Sequence, residues 1–154
     1  MCEFILASGS PRRKEILRNL GLEFTVCVPD ADENIDGNLP PELYVQELAL
    51  LKAGEAAKMQ NGGLIISADT VVYMGGKIMG KPGTKSEAKE MLESLSGNTH
   101  SVYTGVCAAD VKKGKFATMY EKTDVTFYPL TEEFINKYIE SGEPFDKAGG
   151  YGIQ

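Results

Sequence analysis

Residues 4–21, FILASGSPRRKEILRNLG, decide how this 154-residue chain is read. Phe4, Ile5 and Leu6 form a short apolar run of the buried-strand type. Ala7, Ser8 and Gly9 are small, so backbone amides there can approach a ligand. Ser10 is a good helix N-cap, and Pro11 suits the first helical position, where its missing N–H would be unpaired anyway. Ile16, Leu17 and Leu20 recur at helical spacing, and Gly21 stands where a left-handed C-cap belongs. The stretch is therefore a strand, a tight loop and a helix. Its charge runs against the helix dipole: Arg12, Arg13 and Lys14 crowd the first turn, where cations are disfavoured. A bound anion would reverse that penalty, because amides, dipole and guanidinium forks would converge on it. Two readings stand on this stretch, a polyphosphate cradle and a solvated basic turn.

Outward from it, hydrophobic patterning continues an α/β alternation. Residues 23–28, EFTVCV, read as a second strand, and residues 29–41 as a polar loop carrying Asp30, Asp32, Glu33 and Asp36. Pro41 opens a helix to about Met59, with Leu43, Leu48, Leu51 and Ala53 on its apolar face. Lys52 falls among those inward positions; alone it reads as a lysine snorkelling to water. Residues 64–73, LIISADTVVY, are apolar on both faces, as a central strand is. Asp69 breaks that run. Burying an unpaired carboxylate is expensive, so Asp69 needs a cation, a metal or a catalytic task, or else backbone donors at a strand end. Gly75-Gly76 makes a hairpin returning through Lys77-Ile78-Met79, and Gly80-Lys81-Pro82-Gly83 is a second lysine loop. Thr84 and Glu87 form a capping box before Ala88, Met91, Leu92 and Leu95, with Gly97 closing the helix. Residues 102–109 and 116–128 read as antiparallel strands around Lys112-Lys113-Gly114-Lys115. Thr131 caps a last helix with Phe134, Ile135, Tyr138 and Ile139 inward, and residues 143–154 read as a Gly-rich loop. The expected architecture is α/β, a mixed twisted sheet flanked by helices, in a single domain over residues 1–154.

Composition narrows the function. A net charge of −6 argues against a nucleic-acid partner and leaves the basic residues near Arg12 for a small anion. Nothing approaches the run of about 18 apolar residues that crosses a bilayer, and the N-terminus has no basic region before its apolar part, so neither a membrane nor a signal peptide is expected. Cys2, Cys27 and Cys107 are scattered, which points to a reducing, cytoplasmic setting and away from a zinc site. His100, the only histidine, has no nucleophile motif near it. The P-loop pattern and the dinucleotide pattern are both absent. What remains is a set of cations, Arg12, Arg13, Lys52 and Lys81, against the carboxylates Glu33 and Asp69. That set suits a phosphate-bearing ligand with a divalent metal, and hydrolysis of a phosphoanhydride.

At this point the chain resembles the Maf family of nucleotide pyrophosphatases, the septum-formation-inhibitor family. The resemblance rests on ASGSPRR at 7–13, Asp32-Glu33, Leu48-Ala49 with Lys52-Ala53, and SADTVV at 67–72. It continues through Gly80-Lys81-Pro82, LSGNTHSVYTGV at 95–106, TDVTF at 123–127 and EPFDKAGGYGIQ at 143–154. It implies an inosine-triphosphatase-like fold of two lobes with a central cleft, and hydrolysis of nucleoside triphosphates to monophosphate and pyrophosphate with Mg2+ or Mn2+, often by a homodimer. By motif, Asp69 becomes the proton acceptor; Ser8, Arg13, Lys52 and Lys81 hold the triphosphate; Glu33 joins Asp69 at the metal. Arg12, Thr70 and Gln154 match the subgroup acting on dTTP and UTP, with modified pyrimidine nucleotides as a further substrate class. The family name carries an alternative, a nucleotide-binding regulator of septum formation without essential turnover. A third reading is an inosine-triphosphatase-like enzyme clearing purine analogues. Family members run on past YGIQ with a further helix and strand, so measured against the resemblance residues 1–154 lack the family's C-terminal segment.

Overall fold

A computed structural model describes residues 3–35 and 37–152. Met1, Cys2, Asp36, Ile153 and Gln154 lie outside the described residues. In chain order the elements are β1 (Phe4–Leu6), α1 (Pro11–Asn19), β2 (Phe24–Val26), α2 (Pro41–Lys58), β3 (Leu64–Met74), β4 (Lys77–Met79), α3 (Lys85–Leu95), β5 (Thr99–Asp110), β6 (Lys115–Thr126) and α4 (Glu132–Glu140). The strands form a six-stranded sheet in the order β2-β1-β3-β5-β6, with β4 paired to β3. β1 runs parallel to both β2 and β3, with Phe4 opposite Phe24 and Leu64, while β3 and β4 are antiparallel. Side-chain pairs Thr99–Thr126 and Ser101–Asp124 step in opposite directions along β5 and β6, the register of an antiparallel hairpin. The sheet is thus mixed, as expected. The chain divides into two compact units, Met1–Asp69 with Thr104–Glu121, and Thr70–Tyr103 with Lys122–Gln154.

In the first unit, α2 packs on the sheet through small residues. Val45, Leu48, Ala49, Ala53 and Ala56 are buried along one face, at helical spacing. Ala49, Ala53 and Ala56 join Ile5, Ala7, Cys27, Ile65, Cys107 and Ala109 in one core. The approach is closest at Gly105 of β5, where a Cβ would lie 2.3 Å from the Val45 carbonyl oxygen and 2.7 Å from the Gln46 nitrogen. Helix backbone and strand backbone touch there, and only glycine leaves room. Leu43, expected on the inward face, is exposed at the first turn.

The second unit has its own core of Ala88, Leu92, Ile135 and Ile139, with Leu130, Tyr138, Phe145 and Tyr151 packed against it. Of the expected capping box on α3 the Thr84 half forms, with the Glu87 N–H donating to Thr84 Oγ1 at 3.1 Å, while the Glu87 carboxylate passes Thr84 and accepts from the Gly83 N–H at 2.6 Å instead. Thr131 caps α4 in the same manner. Phe134, expected inward, is 55% exposed and stacks beside Tyr138 on the outer side of α4. The stretch read as a loop after Gly142 holds two short 3-10 helices, Glu143–Asp146 and Ala148–Gly150.

Gly105→Ala is expected to lower stability by about 3 kcal/mol, at the upper end of overpacking costs, because the obstructing atoms are backbone and cannot rotate away. Urea unfolding checks this. An unchanged midpoint would show that α2 does not rest on Gly105.

Candidate functional site

The ladder of β1 continues one residue beyond the strand: the Ala7 N–H donates to the Ile66 carbonyl at 2.8 Å, and the Cys27 N–H to the Leu6 carbonyl at 3.0 Å. The chain then turns at Ser8, which is buried. Ser8 Oγ accepts from the Ser10 N–H at 3.2 Å and from Arg13 Nη1 at 3.1 Å. Ser10 precedes the helix with extended backbone, but its side chain makes no capping bond. The hydroxyl two residues earlier serves the turn instead, a local side-chain bond of the kind serine favours. Gly21 takes the left-handed conformation expected after the helix, with φ of +72°. Of the apolar stripe on α1, Leu17 is buried while Ile16 and Leu20 are exposed.

Arg13 reaches back across the loop. Its Nη1 donates to Ser8 Oγ and, at 2.7 Å, to the carbonyl of Ala68. Burial pulls the Arg13 pKa below its ordinary value, and the charge of Asp69 works against that shift. Arginine stays cationic at any physiological pH.

Asp69 faces α2 because β-strand side chains alternate. Ile65, Ser67 and Asp69 share one face of β3, and the buried Ser67 hydroxyl donates to the Ala49 carbonyl at 2.6 Å, marking that face as the one α2 covers. Lys52 lies three residues beyond Ala49 on the same helical face. Its ammonium donates to Asp69 Oδ1 at 2.6 Å and lies 3.1 Å from Glu33 Oε1. Lys52 is therefore not a snorkelling lysine; its side chain is 15% exposed and its charge is spent on two carboxylates. Asp32 holds Glu33 in place, since its carboxylate accepts from the Asn34 N–H at 3.0 Å and folds the loop into a tight turn. Burial pushes the Asp69 carboxyl pKa upward, Lys52 pulls it down by charge and hydrogen bond, Arg13 does so from further off, and Glu33 adds to the rise.

Five of the expected site residues, Ser8, Arg13, Glu33, Lys52 and Asp69, are thus brought together within the first unit. Arg12 is half-buried beside Arg13, and its charge lowers the Arg13 pKa. Thr70 follows Asp69 and opens the second unit. Lys81 is exposed on its loop in that unit, and Gln154 lies outside the described residues. The Ala68 carbonyl gave no signal in the sequence, because the group Arg13 uses is main chain.

The Maf-like protein family matches residues 3–154. This chain belongs to the Maf-like family. A dTTP/UTP pyrophosphatase from Bacillus anthracis is 51% identical over 154 residues, covering all of this chain and 80% of the relative. One from Desulforamulus reducens is 46% identical and is covered to 81%. Among solved structures, the Staphylococcus aureus Ham1 protein superposes with a TM-score of 0.56 at 14% identity, over 79% of this chain and 70% of that one. At that identity the likeness concerns the fold alone, and it agrees with the α/β class of this Maf-like chain. No helix among the described residues is long and apolar enough to cross a membrane.

Arg13→Lys is expected to cost about 1–2 kcal/mol, because the shorter lysine side chain stops short of the Nη1 position from which both Ser8 Oγ and the Ala68 carbonyl are bonded. Urea unfolding measures it; a midpoint equal to wild type would show that the tether between α1 and β3 carries nothing.

Proposed function

We propose that this Maf-like chain is a nucleoside triphosphate pyrophosphatase that hydrolyses dTTP and UTP to the monophosphate and pyrophosphate. The observation that carries the chemistry is Asp69, a buried strand carboxylate whose Oδ1 is 2.6 Å from a lysine ammonium, beside an arginine-bearing loop of small residues. The substrate reading is supported by relatives near 50% identity named for dTTP and UTP.

In this reading Asp69 accepts a proton from water as the water oxygen bonds to phosphorus and the α–β phosphoanhydride bond breaks, releasing pyrophosphate. Its raised pKa suits that task, since a carboxylate lifted toward neutrality is a stronger base than an ordinary one. Lys52 and Arg13 neutralise the polyphosphate, with Ser8 setting the loop that receives it. By motif, Lys81 is a further phosphate-binding side chain. The donor set also fits a hard divalent cation, Mg2+ or Mn2+: Asp69 and Glu33 aim oxygens at one positive charge, now the Lys52 ammonium, and phosphate and water oxygens would supply the other positions. Such an ion would withdraw charge from the phosphates and acidify water. Arg12, Thr70 and Gln154 set the base preference. An amide with both donor and acceptor, as in Gln154, complements the O4 and N3–H edge shared by uracil and thymine. The chain acts in the cytoplasm as a homodimer on small nucleotides, a setting to which its net charge of −6 is suited.

A panel of dTTP, UTP and ITP with products identified tests this reading on wild type and Asp69→Asn. Wild type is expected to release pyrophosphate from dTTP and UTP in preference to ITP. Asp69→Asn is expected to lower kcat by about a thousandfold, within the range for loss of a general base. Turnover of ITP above UTP, or an Asp69→Asn rate close to wild type, would overturn it.

A further inference from the structure

The tail after α4 is built with more constraint than a surface loop needs. In residues 143–152 the Lys147 side chain is buried, with Nζ donating to the Glu143 carbonyl and to Asp146 Oδ1, each at 2.8 Å. A Cβ on Gly152 would fall 3.1 Å from Lys147 Cδ, so the backbone there lies against the lysine stem. The Gly150 N–H donates to the Lys147 carbonyl at 3.0 Å, closing the second 3-10 turn. Gly149 has φ of +67°, and a Cβ there would meet Val72 Cγ2 at 2.7 Å. That position admits glycine for two independent reasons, backbone conformation and space.

Glycine at 149 allows one contact outside the tail: its N–H donates to the carbonyl of Gly80 at 2.9 Å. On the other side of Lys81, Pro82 is buried, and a Cβ on Gly150 would sit 3.8 Å from its Cγ. Both residues flanking Lys81 therefore rest on the tail, while Lys81 itself is exposed. A lysine that merely solvates a surface has no use for a backbone fixed on both sides.

The end of the tail is held by a second contact. Tyr151 hydrogen-bonds His100 Nε2 on β5, and Phe127 lies edge-on to both rings, with centroids 4.7 and 5.1 Å away. His100 is 3% exposed, and its Nδ1 has no hydrogen-bond partner among the described residues. Burial lowers the His100 pKa and raises that of Tyr151 to about 12, so it favours the neutral form of both rings.

We propose that this tail is a brace for the lysine loop, with Gly149 setting the height of Gly80-Lys81 and the His100–Tyr151 bond locking the brace. Gly149, Tyr151 and His100 are positioning residues acting through Lys81; the proposal rests on the reading of Lys81 as a phosphate-binding side chain.

Steady-state kinetics with UTP test it. Gly149→Ala is the direct variant but meets Val72 and can fail to fold, so Tyr151→Phe, which keeps the ring and drops the hydroxyl, carries the test. Tyr151→Phe is expected to raise KM about three- to tenfold with kcat within about twofold, the signature of lost uniform binding worth one hydrogen bond. In a Lys81→Ala background Tyr151→Phe is expected to add no further loss. His100→Phe should match Tyr151→Phe, and His100→Gln, which keeps a hydrogen-bonding group for the tyrosine hydroxyl, should restore KM. The brace is overturned if Lys81→Ala raises KM while Tyr151→Phe does not, or if the two losses multiply in the double variant. If Lys81→Ala itself leaves KM unchanged, the phosphate role of Lys81 fails and the brace fails with it.

Discussion

The structure of the site depends on one ammonium held against one buried carboxylate. Lys52 on α2 reaches Asp69 on β3 at 2.6 Å, and Glu33 joins from the loop after β2 at 3.1 Å. Burial favours protonated Asp69; the lysine favours the ionised form, and burial is the larger influence. The sign for stability follows. With a folded-state pKa above the unfolded one, the protonated acid stabilises the fold at low pH, and that contribution is lost as pH rises through the folded value. Ionised Asp69 is therefore a strain on the fold, and Lys52 does most to reduce it. A carboxylate kept in that condition is poised to take up a proton, which is what a general base does.

Everything beneath this pair serves to bring α2 close. Alanines at 49, 53 and 56 and the bare backbone of Gly105 let the helix lie against the sheet, and Ser67 fixes its height through the Ala49 carbonyl. A bulkier interface would move Lys52 outward and leave Asp69 buried and unpaired, the costliest outcome available to it. Arg13 performs the matching task from the other side, tying α1 to the Ala68 carbonyl one residue before the aspartate. The same side chains thus secure the fold and gather the charges that the proposed polyphosphate site would use.

Much of this was legible in the sequence because local chemistry wrote it there. Pro11 and Gly21 bounded α1, the continuous apolar run marked β3 as central, and Asp69 stood out by violating that run. Glycine pairs and the Thr84–Glu87 spacing gave the hairpin and the cap. What escaped were facts created by tertiary contact. Lys52 looks like any amphipathic lysine until Asp69, seventeen residues on, is brought beneath it. Ser10 has the right type and place for an N-cap, yet its side chain makes no capping bond, and its own N–H goes to the Ser8 hydroxyl, which Arg13 also holds. Phe134 satisfies the helical period but is left exposed, against Tyr138 of the same helix rather than in the core. The tail read as loop because its glycines break patterns, whereas two of them exist to admit close contacts.

The claim that Asp69 is a base lifted by burial and restrained by Lys52 is tested most directly by titrating its carboxyl carbon by 13C NMR in the wild-type protein and in Lys52→Met. The account requires a midpoint above the ordinary aspartate value of 3.8 in wild type, and a higher one still when the ammonium is gone. A midpoint at or below that value, or one that Lys52→Met leaves in place, would contradict it.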